Sequence, residues 1–385
     1  MTGVFQLPTT VHFGSGVTAT LAERIAALGV ERVFVVTDPG VRAAGIVDRV
    51  LAPLVEDLVP VRIFDAVHPN PRDHECRAAA DEALAFGAEV VVAIGGGSPI
   101  DAAKAVAALA TNGGAVRDWE FPRRLDFAPL PLVAIPTTAG TGSEVTFYAV
   151  VTDTARHFKM SLLDVRLAPE IALVDPDLTL SLPPAITAAT GMDALTHAVE
   201  AYTGKVASPV TDALALHAIR LIARHLRRAV GEGGDVDARE GMMMASLIAG
   251  MAFGNADVGA VHCLAEAIGG LYDTPHGVAN SVFLPFVFAL DAEAAPERHA
   301  DVAEALGVAR GSQPATTVAA EGALALRDLA RAVGIPAMSA LPGIDPVDFE
   351  RVAAASARNV SNPSNCREMT EADYLHLLRR AWANE

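Results

Sequence analysis

The run VVVAIGGGSPID, residues 90–101, most restricts how this chain can fold. Val90–Ile94 is an unbroken apolar, mostly β-branched stretch, which reads as a strand buried on both faces. Gly95, Gly96 and Gly97 follow without side chains. Ser98 then suits a helix N-cap, Pro99 suits the first turn, and Asp101 can reach back to free N–H groups. A strand that meets a helix N-terminus through glycines predicts a βα unit of a parallel sheet. The same geometry lets backbone N–H groups and the helix dipole approach a pyrophosphate. A tight glycine turn with no ligand fits these residues as well.

The rest of the first half repeats that unit. VERVFVVTD (30–38), PLPLVAIPTTAGTGSE (129–144) and IALVDP (171–176) are further short Val/Ile-rich runs separated by helical patterns. They predict a parallel sheet covered on both faces. After LSLPPAITAATG (180–191) the apolar spacing is helical nearly to the end. The expected organisation is an α/β dinucleotide-binding domain over 1–182 and an all-α, metal-binding domain over 183–385.

Composition narrows the function classes. The 385 residues are 51% hydrophobic and 19% charged, enough for two packed cores. A formal net charge of -17 argues against nucleic acid or an anionic membrane as partner. The most apolar region, Met242 to Leu271, is interrupted by Asn255, Asp257, His262 and Glu266, so buried helices are expected rather than a span. Cys76, Cys263 and Cys366 form no CxxC pair, and a reducing cytoplasm suits them.

Two further segments are candidates for nucleotide contact. Asp38 ends the run at 30–38, at the edge where open α/β sheets bind ligands. A carboxylate there can bond ribose hydroxyls and repel a 2′-phosphate, favouring NAD over NADP. It also fits a turn before Pro39 and Gly40. The order is not that of GxGxxG, in which the acidic residue follows the glycines. Thr137 and Thr138 open a segment of hydroxyls and small residues after another strand.

The second half offers metal chemistry. Asp193 and His197 stand four apart in GMDALTHAVE and share one helix face. His262 opens the helical segment HCLAEAIGG, and His276 lies in YDTPHG, a loop or helix start. One carboxylate and three imidazoles make an oxygen/nitrogen set for a divalent first-row ion, and a shared ion relieves the cost of polar groups in apolar helices. Read singly, His262 fits a hydrogen-bonded core residue, Asp193 a helix-start charge and His276 a turn. Phe147, Phe253 and Cys263 are candidate pocket walls.

Taken together, GGGSPIDAAKA, PTTAGTGSEVT, ATGMDALTHAVEAY and HCLAEAIGGLYDTPHGVAN resemble the iron-containing (group III) alcohol dehydrogenase family. FGSG (13–16), HPNP (68–71) and SNPSN (361–365) add to the likeness, which spans the chain in order. The resemblance implies a dehydroquinate synthase-like architecture of two domains with the active-site cleft between them. It implies Fe²⁺, with Zn²⁺ as a substitute, on Asp193, His197, His262 and His276. It places NAD with its pyrophosphate on Gly95, Gly96, Gly97 and Ser98, its ribose end at Asp38, and its cleft lined by Asn70, Thr137, Thr138 and Lys159. Hydride would pass between NAD(H) and a small alcohol or aldehyde. A homodimer or larger assembly, paired through a strand at residues 4–8, is implied too.

One position departs from the pattern. Many members carry a further histidine four residues after the third ligand, and Glu266 stands there. It can relay a proton, contact substrate, brace a ligand, or serve structure alone; burial would raise its pKa and suit acid/base work. Two rival functions remain: an NAD- and metal-dependent lyase of the dehydroquinate synthase type, and a non-catalytic nucleotide-binding protein. The lyase needs cations for a phosphorylated substrate, yet GMDALTHAVEAY and VHCLAEAIGGLYDTPHG hold no Arg or Lys.

Overall fold

The computed structural model describes residues 4–384. They fold as two compact units. One comprises Leu7–Thr138 and Gly142–Leu182; the other comprises Pro183 onward, with Ala139–Thr141 and the residues before Leu7.

The first unit is built on a six-stranded sheet. Its strands are β1 (Thr10–Phe13), β2 (Val33–Val36), β3 (Val61–Phe64), β4 (Val90–Gly95), β5 (Leu132–Pro136) and β8 (Ile171–Val174). They run in the order β1-β8-β5-β4-β2-β3, every pair parallel. A separate antiparallel hairpin joins β6 (Tyr148–Asp153) to β7 (Phe158–Leu163). The helices are α1 (Leu21–Ala27), α2 (Pro39–Ala43), α3 (Ile46–Glu56), α4 (Asp73–Phe86) and α5 (Gly97–Asn112).

The period-two pleat explains why the central strands read as unbroken apolar runs. Phe34, Val36, Val91 and Ala93 pack on one face with Ala79, Ala83, Ile100 and Val106 from α4 and α5. Val33, Val35, Val90, Val92 and Ile94 pack on the other with Leu21, Ile25, Val50 and Leu54 from α1 and α3. Each fully buried Val, Leu, Ile or Phe among these contributes roughly 1.5–3 kcal/mol, and each alanine less. The outermost strands, β1 and β3, are half exposed and correspondingly less apolar, and the sequence reading passed over them. The β6–β7 hairpin was also missed.

The second unit is helical: α6 (Pro184–Thr203), α7 (Pro209–Gly231), α8 (Val236–Ala256), α9 (Ala260–Tyr272), α10 (His276–Asp291), α11 (Pro296–Ala305), α12 (Ala315–Ala332), α13 (Phe349–Ala357) and α14 (Glu371–Ala383). Local signals set several starts. Ser208 caps α7 ahead of Pro209, and Thr370 and Asp373 form a capping box on α14. The apolar stretch at 242–271 is split between α8 and α9, bent by 100°. No single described helix is long and apolar enough to cross a membrane. Residues 4–8 form no strand within the chain; Gln6 instead exchanges two hydrogen bonds with the Asn255 side chain, at 2.7 and 3.0 Å.

Candidate nucleotide edge and metal centre

In the first unit the chain moves outward from β2 to β3, then returns to place β4 on the other side of β2. The reversal leaves a switch point at the carboxyl ends of β2 and β4, where open α/β sheets take ligands. Thr37 donates to the Ile94 carbonyl at 2.7 Å and stitches the two strand ends. Asp38 leaves one strand here and Gly95 the other.

The glycines are sterically required. A Cβ on Gly95 would lie 2.5 Å from Pro99 Cγ, and one on Gly96 would lie 3.0 Å from Thr138 Oγ1. The helix α5 starts at Gly97 with Gly96 as its cap residue, and no side chain caps it. Ser98 therefore sits inside the first turn, not at the N-cap as the sequence suggested. Asp101 also departs from expectation. It faces away from the helix end, accepting the Val150 N–H at 3.0 Å, with Lys104 Nζ 3.8 Å away. Neither side chain caps the first N–H groups of α5.

Asp38 accepts the Val41 N–H at 2.9 Å and so caps α2, which realises the turn reading; it remains partly exposed. Thr137 is bound to the Gly95 carbonyl at 2.9 Å, and Thr138 lies against Gly96. Asn70, in left-handed backbone at φ 55°, accepts from Lys159 Nζ at 2.7 Å, both side chains being buried. Behind this edge the wholly buried Lys104 donates to the Tyr148 carbonyl at 2.6 Å and to Thr146 at 3.1 Å, and burial pulls its pKa down to about 8.

In the second unit Asp193 and His197 lie one turn apart on α6, His262 is the third residue of α9, and His276 opens α10. Each offers a ligand atom, and the four atoms lie within 4.8 Å of one another, the one such cluster among the described residues. Asp193, His197 and His262 are buried and His276 is partly so. Asp193 stands 4.0 Å from His197 Nδ1 and 3.8 Å from His276 Nε2. The His197 ring stacks on Phe253 with centroids 4.1 Å apart. Phe253 thus lies beside the cluster; Cys263 is wholly buried and hydrogen-bonded to Tyr374, and Phe147 stacks on Tyr148.

Two contributors escaped the sequence reading. Glu200 on α6 accepts from His262 Nδ1 at 2.5 Å and from the Val261 N–H at 2.7 Å. It fixes the His262 tautomer with Nε2 turned toward the cluster. Its signal was present, since Glu200 follows Asp193 by seven residues and shares its face. Asn280, wholly buried on α10, places Nδ2 2.7 Å from Asp193 Oδ1, 3.1 Å from His262 Nε2 and 3.2 Å from His276 Nε2.

These groups fit a divalent cation. Burial, then the neighbouring His262, hold the His197 pKa well below the usual imidazole value, so the ring is neutral near pH 7, the form that binds metal. Its buried Nδ1 has no hydrogen-bond partner among the described residues. Burial pulls His262 down, but Glu200, Asp193 and Glu266 together leave its pKa raised. The Asn280 amide shows that lone pairs from three donors converge on one point. Glu266, partly buried, accepts from Asn359 Nδ2 at 2.6 Å.

A parallel α/β unit and a helical unit that gathers one carboxylate and three imidazoles define a class of metal-assisted enzymes. Comparison narrows it. Residues 8–176 match the iron-containing alcohol dehydrogenase model, and residues 187–382 match the model for the C-terminal part of the Fe-containing alcohol dehydrogenase family. The chain belongs to the iron-containing alcohol dehydrogenase family. It is 41% identical to a 1,3-propanediol dehydrogenase of Klebsiella pneumoniae over 98% of both chains. It is 39% identical to an NAD-dependent methanol dehydrogenase of Bacillus methanolicus, over 99% of this chain and 100% of the relative. A crystal structure of a 1,3-propanediol oxidoreductase superposes with a TM-score of 0.95 at 41% identity, covering 99% of this chain and 100% of the other. The protein is thus an oxidoreductase of the alcohol dehydrogenase/aldehyde reductase type, and neither the lyase nor the non-catalytic reading is favoured.

Proposed function

We propose that the chain interconverts small primary alcohols and aldehydes with NAD(H), using Fe²⁺ held by Asp193, His197, His262 and His276. The convergence of these four donors, three of them buried, within 4.8 Å of one another carries the reading. A divalent ion bound there supplies Lewis acidity toward the substrate oxygen. Glu200 holds His262 in its ligating tautomer, and Asn280 steadies the Asp193 carboxylate. The uncapped start of α5, at Gly95–Ser98, receives the pyrophosphate. Asn70, Thr137, Thr138 and Lys159 line the nucleotide path, and Asp38 meets the ribose and disfavours a 2′-phosphate. The relatives named for 1,3-propanediol and methanol support short alcohols or diols as substrates. Three free thiols suit a reducing cytoplasm, and assembly into a homodimer or larger, tested by light scattering, belongs to the same reading.

The test is anaerobic purification, metal analysis, and oxidation of NADH or NADPH with short aldehydes before and after chelation. Activity is expected to vanish on stripping, to return with Fe²⁺ and less fully with Zn²⁺, and to favour NADH. Full activity in metal-free protein would overturn the metal role; equal use of NADPH would remove Asp38 from the ribose site.

Glu266 is proposed as a proton relay. Glu266→Gln keeps an acceptor for Asn359 but cannot take up a proton. Turnover should fall by about 10²-fold, the lower range for general acid–base groups, with the KM for NADH unchanged. An unchanged kcat would leave Glu266 a structural acceptor.

A further inference from the structure

The segment SNPSN, residues 361–365, contributes no donor to the metal cluster, yet Ser361, Ser364 and Asn365 bond the break before α9 and the first residue of that helix, which carries His262. That helix starts after Gly259, a residue that offers no side-chain cap. Its first two N–H groups go to remote partners. Ala260 donates to Asn365 Oδ1 at 3.1 Å, across 105 residues, and Val261 donates to Glu200 Oε1. Asn365 is buried, and its amide nitrogen donates to Asp291 Oδ1 at 3.1 Å and to the Arg367 carbonyl at 3.3 Å.

The fit around this cap is tight. A Cβ on Gly259 would lie 2.6 Å from Asn365 Oδ1 and 3.1 Å from Glu200 Oε1. Just before it, Asp257 holds a positive φ of 62° with ψ -178°, a backbone conformation rare for a residue with a side chain. Ser361 donates to its Oδ1 at 2.9 Å and Ser364 to its Oδ2 at 2.6 Å. The break between α8 and α9 is therefore stitched at both of its sides by the same short segment.

We propose that Asn365 is a positioning residue for the metal centre, fixing the axial place of α9 so that His262 meets Glu200 and the other three donors, while Ser361 and Ser364 hold the break that precedes it. A helix slides as a unit. Losing the Asn365 acceptor orphans a buried N–H at Ala260 and frees the end of α9 nearest His262. The Glu200 carboxylate takes both the Val261 N–H and His262 Nδ1, so a small slide disturbs both bonds together.

This inference rests on the metal reading above, and the experiment separates the two. Wild type, Asn365→Ala and Thr211→Val are loaded with Zn²⁺, and release to a chromogenic chelator is timed beside the melting of each metal-free form. Thr211→Val removes a buried hydroxyl at the start of α7 and serves as a control for stability alone. Asn365→Ala should release the ion at least about 10-fold faster, as loss of groups that orient metal ligands commonly does. Thr211→Val should release it at the wild-type rate. Equal release from Asn365→Ala and wild type overturns the positioning role and spares the metal reading; a wild type that retains neither Zn²⁺ nor, loaded anaerobically, Fe²⁺ overturns both. If Asn365→Ala does not fold, the doubly substituted Ser361→Ala/Ser364→Ala decides. Faster release with unchanged metal-free melting supports the clamp, and unchanged release overturns it.

Discussion

Asp193→Asn should yield a folded protein that holds no divalent ion through dialysis and, like the stripped wild type, has lost at least about 10³-fold in turnover. Asp193 is the one anionic donor of the four and is almost fully buried. Three neutral imidazoles can direct lone pairs at a cation but bring no opposing charge. At an effective dielectric near 20, a unit charge about 4 Å from a divalent ion contributes roughly 8 kcal/mol, twice the value for two unit charges. Even half of that is about 10³-fold in affinity. The substitution keeps the shape of the side chain and its place between α6 and α10. It also removes a buried negative charge from the metal-free protein, so melting of that form should be unchanged or raised. Metal analysis beside melting distinguishes lost ligation from lost structure. Retained ion with retained turnover would show Asp193 to be a structural carboxylate and would sink the four-donor set.

The central sheet was legible because physics writes it plainly. Strands such as β2 and β4 are covered on both faces, so every position is apolar, and glycines mark where β4 must turn closely into α5. β1 and β3 were not legible because an edge strand has only half its positions to fill with apolar residues. The start of α5 was misplaced for a related reason. Ser98 is a good cap in isolation, but the close approach of Gly95 to Pro99 and of Gly96 to Thr138 lets the helix begin at Gly97. Asp101 could not be placed from sequence because its partner, the Val150 N–H, lies on a hairpin 49 residues away.

The cluster was legible in part. Asp193 and His197 share a face through the helix repeat, and the structure brings His262 and His276 to them. What periodicity cannot say is what a face meets. Glu200 carried the same repeat as Asp193 but resembled an ordinary buried charge until His262 stood against it. Asn280 follows His276 by one turn, yet an asparagine in an apolar helix carries no metal signature of its own. Asn365 was visible only as part of a motif, because its role depends on the start of a helix 105 residues earlier. Groups that bind through their own lone pairs leave spacing in the sequence; groups that orient them leave only geometry.

Gly277→Ala should lower the melting temperature by about 2–12 °C and also strip the ion. Gly277 follows His276 at the start of α10, where that helix presses on α6. An added Cβ would stand 2.4 Å from the Ala189 carbonyl oxygen, 2.8 Å from its carbon and 3.3 Å from Asp193 Cβ. The obstacle is helical backbone, which cannot swing aside as a side chain can. So α10 must lift from α6, and it carries His276 and Asn280 away from Asp193. Overpacking of this kind costs about 1–3 kcal/mol and sometimes more, and a kilocalorie shifts melting by roughly 2–4 °C at this size. Gly231→Ala is the matched control. It closes α7 with no atom within 4 Å of the new Cβ, so melting should hold or rise slightly. If Gly277→Ala melts like wild type and keeps its ion, the close contact of α10 on α6 does not set the distance between His276 and Asp193. If it melts early yet keeps its ion, packing and ligation are separable at this glycine, and the cluster tolerates more displacement than four donors within 4.8 Å suggest.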